Sequence, residues 1–212
     1  MISLPAERKN KIILLSVYFI FLIISCINPI YPSEMFLQHS VTVLMGIFLL
    51  IITRNNSLSD GSFSLLVFFM LLHIIGARWI YSYVPYDAWF KALTGVTITE
   101  IFGFTRNHYD RFVHLMFGIM MIPPLKEIYK KWFKCPEKLS WLVAFLTILA
   151  LSMIYEVFEW GLTLVLSPAD AEDYNGQQGD MWDSQKDMAL AMLGAIISLF
   201  FSSLNKLYRN EK

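Results

Sequence analysis

Six apolar runs follow one another along this chain, at 11–28, 35–53, 63–83, 108–128, 139–166 and 185–205. Each is close to the roughly 20 residues that a helix needs to cross a bilayer. No polar stretch between them is large enough to form a second core. Backbone groups in lipid must be satisfied internally, which leaves helices or a closed barrel. The ten-residue alternation of a membrane barrel is missing. The expectation is therefore one all-α integral membrane domain over 1–212, a polytopic bundle of about six transmembrane helices. Composition agrees: 56% of residues are hydrophobic and 16% charged, against about 25% charged in soluble domains. A formal net charge of zero gives no footprint for nucleic acid.

Lys and Arg in the loops set the orientation. Arg8, Lys9, Lys11, Arg54, Lys126, Lys130, Lys131, Lys134, Lys138, Lys206, Arg209 and Lys212 fall on the face that carries both termini. Arg78, Lys91, Arg106, Arg111 and Lys186 fall on the other. Both termini are thus expected in the cytoplasm, in a multi-pass protein of a bacterial inner membrane. The basic start followed by an apolar run could be a signal peptide, but no small-x-small cleavage site follows, so a retained first helix is expected. Cys26 and Cys135 fall on opposite faces and are not expected to pair. The outer segment 84–107 holds Trp89, Phe90, Phe102 and Phe104 and reads as interfacial or re-entrant. The loop 167–182 is rich in acids and turn formers.

The ends of spans three to six meet at the outer boundary, and each carries polar residues three or four apart, on one helical face. Asp110, His114 and Gly118 share a face in "RNHYDRFVHLMFG". Ser152, Tyr155, Glu156, Glu159 and Thr163 form a stripe in the fifth span. Asp180, Asp183 and Asp187 run into Ala191, Gly194 and Ser198, small residues suited to close helix packing. His73, Gly76, Ala77 and Ile80 line the third. A helix macrodipole accounts for Asp180 and Asp183 as an acidic start, but not for Asp187, a turn further in. Buried carboxylates cost several kcal/mol (order of magnitude) unless paired, protonated or hydrated. One outer pocket is expected to gather Asp110, His114, Glu156, Glu159, Asp183 and Asp187, with Arg78 and Arg111 alongside. So many carboxylates cannot all ionise in a small dry site. Protons are shared, arginines neutralise them, or a cation sits among them. Carboxylate and imidazole together suit zinc, manganese or iron; oxygen alone suits magnesium or calcium. No HExxH, CxxC or P-loop spacing is present.

The same stretches resemble the YjdF-like family of bacterial inner-membrane proteins, whose function is undefined. The likeness rests on Arg-Asn-His-Tyr-Asp-Arg with His114 three residues on, on "YEVFEW", on "GQQGDMWDSQKDM" and on "HIIGARWIYSYVP". It spans about residues 60–200 and implies membrane location and fold, with no reaction. Lys186 departs from the pattern, standing where an aromatic is expected. A weaker similarity points to VanZ-like membrane proteins, through Asp110, Arg111 and His114, then Glu156, then Asp183, Asp187 and Gly194. That likeness implies an envelope role.

The expected function is action on a lipid-linked or amphipathic envelope substrate by metal-assisted hydrolysis or transfer. His114 or Glu156 would be the general base. Asp110, Glu159, Asp183 and Asp187 would bind a divalent metal. Arg78 and Arg111, with Asp180 and His73, would hold the substrate, the arginines gripping an anionic headgroup. The alternatives are a proton-coupled carrier, which lacks visible repeat symmetry, and a non-enzymatic scaffold. Membrane lipid is the partner expected on any of these readings.

Overall fold

The computed structural model describes residues 6–165 and 175–210, and side chains from 8 to 204 within them. The last residue of the expected fifth span, the first half of the acidic loop and Lys212 lie outside the described residues, as do the side chains of Lys206 and Arg209. Among the described residues the chain is all-helical, with no strand. In order, α1 is Ala6–Ser25, α2 Pro32–Asn55, α3 Asp60–Trp79, α4 Tyr86–Thr94, α5 Ile98–Phe102, α6 Tyr109–Lys131, α7 Glu137–Leu162 and α8 Asp183–Asn210.

Short links join α1 to α2, α2 to α3 and α6 to α7, and the longer links after α3 and α7 return the chain to the same end, where Tyr81 meets Tyr109 and Arg111 meets Asp183. The C-terminal end of α3, the α4–α5 segment, the start of α6, the end of α7 and the start of α8 therefore share one end of the bundle. Helix α6 is the hub. It packs on α3, α7 and α8, while α3 joins it to α1 and α2. The tightest seam is α6 on α8. A Cβ on Gly118 would meet the Ala191 carbonyl oxygen at 2.1 Å, and one on Gly194 would meet the Leu115 oxygen at the same distance. Backbone touches backbone there, as small-residue seams in membranes allow. Ala191 and Ala195 are fully buried beside them.

Helices α2, α3, α7 and α8 (to Leu204) are long and apolar enough to cross a membrane. Their outer faces keep large apolar side chains exposed, among them Phe36, Leu44, Ile154, Val157, Phe200 and Phe201. Patches of that size on long helices suit lipid better than water. Helices α1 and α6, of 20 and 23 residues, carry more charge and fall short of the same measure by composition. Pro123 and Pro124 lie inside α6.

Helix boundaries differ from the apolar runs for local reasons. Helix α1 stops at Ser25 rather than 28, where Arg78 gathers the carbonyls of Ser25, Ile27 and Asn28 at 2.8, 2.8 and 3.2 Å. Helix α3 begins at Asp60 because the Ser59 hydroxyl accepts the Ser62 N–H. It ends at Trp79 rather than 83. Ile80 takes φ of 47°, and a 3-10 turn at Tyr81–Tyr83 folds back. That reversal lays the Tyr81 ring over Gly76, where any Cβ would clash at 2.6 Å. Its hydroxyl meets His73 Nδ1 at 2.6 Å.

The segment 84–107 is two short helices. Thr97 and Glu100 form a capping box on α5, which satisfies two free N–H groups at the helix start. Asp87 accepts from the Thr99 N–H at 3.0 Å, tying α4 to α5. Trp89, Leu93, Ile101 and Phe102 are left exposed.

Candidate functional site

The start of α6 brings Asp110 and His114 to one face, one turn apart. The end of α7 adds Glu156 and Glu159, and the start of α8 adds Asp183 and Asp187. All six are at most 8% exposed. Asp110, His114 and Asp187 each offer a ligand atom within 4.8 Å of the others. His114 Nε2 stands 3.4 Å from Glu156 Oε1 and 3.7 Å from Asp110 Oδ1. Oδ1 of Asp187 and Oε1 of Glu156 are buried and have no hydrogen-bond partner. Native proteins leave few such atoms unsatisfied, and each calls for a physical account. A polar cavity of about 60 Å³ adjoins them, lined by Glu156, Glu159, Asp183, Ser184 and Asp187 among others. That is room for an ion or a pair of waters.

Arginines neutralise one edge of this cluster. Arg106 grips Asp183 at 2.6 and 3.1 Å and also donates to the carbonyls of Gly176 and Gln177, each at 2.8 Å. Arg111 donates to Asp183 at 2.8 Å and to Asp180. Asp180 also receives Lys186. The Lys186 ammonium, the Trp182 N–H and the Arg111 guanidinium hold the Asp180 carboxyl below the ordinary range. Asn175 donates to the Glu159 carbonyl at 3.1 Å, closing the seam between α7 and α8.

Arg106 is the residue that spacing did not select. It precedes α6, and its partner lies 77 positions away, so no helical period links them. Among the ten expected site residues, Arg78 and His73 stand apart. Arg78 caps α1, as described, and His73 bonds Tyr81 and the Gln38 carbonyl. Both belong to a separate polar cluster among α1, α2 and α3. The other eight come together. Asp183, gripped by two arginines, is less free to act as a ligand than Asp110 and Asp187.

Chemically, the cluster divides the work. Asp110, His114 and Asp187 supply mixed oxygen and nitrogen donors, a set suited to zinc, manganese or iron. Their ligand atoms lie within 4.8 Å of one another, so side-chain adjustment would be needed for all three to hold one ion. Glu156 lies beside His114, with Oε1 3.4 Å from Nε2.

The family described as "Predicted membrane protein (DUF2238)" matches residues 10–206. Inner membrane protein YjdF of Escherichia coli (strain K12) is 29% identical over 168 residues, 78% of this chain and 76% of that one. No solved structure matches the chain.

Proposed function

The chain belongs to this DUF2238 family of predicted membrane proteins, and from that premise we propose a multi-pass enzyme of the bacterial inner membrane with a divalent-metal site at the outer face. In this reading α1 and α6 also cross, giving six spans with both termini in the cytoplasm. Twelve basic side chains on the terminal face against five on the other support it. So does the packing of α1 against α3, and of α6 against α3, α7 and α8.

The observation that carries the proposal is the buried meeting of Asp110, His114 and Asp187 with two orphaned carboxylate oxygens. Carboxylates there outnumber the cations of Arg106, Arg111 and Lys186, and a divalent ion would offset the excess. Asp110, His114 and Asp187 hold the ion, with Glu159 as an outer carboxylate. Glu156 serves as general base toward a water or hydroxyl nucleophile. Arg106 and Arg111 fix Asp183, and through it the start of α8. Metal-assisted hydrolysis or group transfer on a lipid-linked or amphipathic substrate follows as the reaction class.

Elemental analysis of detergent-purified protein tests this. About one equivalent of a transition metal is expected, lost in Asp187→Asn and His114→Ala, as for a site whose ligands act together. Metal below a tenth of an equivalent after reconstitution with zinc, manganese and iron salts would remove the proposal.

A further inference from the structure

Beside the acidic cluster, across Arg111, lies a second and larger cavity of about 930 Å³. Its walls are Phe112 and Leu115 of α6 and Leu190 and Leu193 of α8, under Phe102 and Phe104 from the α5 region. Volumes of about 300–1,000 Å³ are typical of small-molecule sites. The cavity begins at the α4–α5 segment and runs about two helical turns along the groove beside the line where α6 and α8 meet. Phe102, Phe112 and Leu193 are 67%, 45% and 47% exposed, so it opens sideways on the face that meets lipid.

Charge is sorted between the two cavities. The smaller one is lined by Glu156, Glu159, Asp183 and Asp187. Among the described residues lining the larger one, none is acidic, and the charged ones are Arg111 and Lys186. Arg111 faces both: it lines the apolar cavity and pairs with Asp183 of the polar one. Lys186 stands 49% exposed at the rim, and both it and Arg111 pair with Asp180, so a bound phosphate would share these cations with that carboxylate. An apolar slot with cations at its interfacial end fits hydrocarbon below and an anion above, as basic pockets between membrane helices hold anionic headgroups.

We propose that this cavity is the binding site for the hydrocarbon chain of a membrane lipid whose phosphate headgroup carries net negative charge, the phosphate being held by Arg111 and Lys186. The occupant comes laterally from the leaflet around this end of the bundle. Such a lipid would bring its phosphate to the residue that borders the acidic cluster, within reach of the proposed metal site. This deepens the proposed function by naming the substrate class, and it rests on that reading only for what happens after binding.

Native mass spectrometry of EDTA-treated protein tests the binding alone, with palmitoyl-oleoyl phosphatidylglycerol and phosphatidylcholine as probes. The wild type should retain one phosphatidylglycerol, favoured over phosphatidylcholine by about fivefold or more, the factor for one cation near a membrane surface. Lys186→Gln, at an exposed position, should reduce that preference while chain binding persists. Leu190→Trp fills the slot and should abolish retention of both lipids, with the melting temperature showing that the variant is folded. Equal retention of the two lipids by the wild type would overturn the inference. So would full retention in a folded Leu190→Trp, or a homodimer that this substitution splits while lipid binding is unchanged. If Leu190→Trp does not fold, the Lys186→Gln comparison decides alone. Lipid preference without metal sinks only the metal site; metal without lipid preference sinks only this one.

Discussion

Around α1–α3, His39, His73 and Arg78 meet hydroxyls and backbone carbonyls; around α6–α8, His114, Arg106 and Arg111 meet carboxylates. Both clusters lie at one end of the bundle, linked by the contact of the Tyr81 and Tyr109 rings at 6.0 Å. In the first, His39 bonds Ser25 at 2.9 Å and Thr42 at 3.1 Å, and both nitrogens of His73 are engaged. The Gln38 side-chain amide is its unsatisfied member. In the second, acids exceed cations and two carboxylate oxygens are orphaned. A network whose acceptors are hydroxyls and backbone carbonyls carries no surplus negative charge and fixes helix positions. A network with surplus negative charge stores unfavourable energy that a cation can release. Burial is similar in both, so burial alone would not tell a fastening from a site.

The largest expected effect lies where the acidic cluster is itself fastened. Asp183→Asn removes the buried carboxylate that Arg106 and Arg111 share most closely, leaving Arg106 with Asp180 at 3.9 Å and Arg111 with Asp180 alone. Breaking such a pair costs about 3–5 kcal/mol. Thermal unfolding in detergent should drop accordingly, with little monodisperse protein recovered. A variant as stable as wild type would mean that the carbonyls of Gly176 and Gln177 suffice for Arg106. Next comes the seam that carries the ligands. Gly118→Ala places a methyl 2.1 Å from the Ala191 oxygen, so α6 and α8 must separate. Overpacking of this kind costs about 1–3 kcal/mol. Metal content should fall with stability, because Asp187 sits one turn from Ala191.

The comparison sharpens on substitutions that treat the two histidine-bearing clusters alike. Asp187→Asn should remove metal yet stabilise EDTA-treated protein by about 1 kcal/mol, read as a higher melting temperature, since functional sites are often held at a cost to stability. His73→Phe should lose about 2 kcal/mol, the net worth of two hydrogen bonds, with metal content intact. If both variants lose stability equally and neither changes metal, the acidic cluster is a fastening like the other, and the scaffold reading gains.

Much of this division was legible along the chain. The 3.6-residue period put Asp110 over His114 and Gly118, and Asp183 and Asp187 over Ala191 and Gly194. Membrane helices must run nearly parallel, so helix ends with acids were bound to meet. What the period does not carry is which neighbour a face meets. His73 and Arg78 sit at the correct end of α3, but α3 turns them toward α1 and α2, with Gln38 and Ser25 as partners. Arg106 was hidden for a different reason: a residue outside a helix has no face to read. The early end of α3 depends on Ile80 at φ of 47°, stabilised by Tyr81 fitting against Gly76, a tertiary contact that no local preference of isoleucine announces.

The smallest effect separates the clusters by their acceptors. Arg78 is held by three backbone carbonyls, which do not titrate. Asp180 is a carboxylate held below its ordinary range by Lys186, the Trp182 N–H and Arg111. A lowered carboxyl contributes stability that is fully present above its unfolded value, about 3.9 for Asp. That contribution is lost as pH falls through the folded value. The stability gap between wild type and Asp180→Asn should therefore be constant from pH 8 to about 5 and close in stronger acid. The gap for Arg78→Gln should not change over the same span. Melting curves in detergent buffers of fixed ionic strength read both. Should the Asp180→Asn gap persist in acid, the carboxylate would be acting through neutral hydrogen bonds, and the electrostatic contrast between the clusters would fail at its exposed edge. The buried core of the acidic cluster would then have to carry that contrast alone.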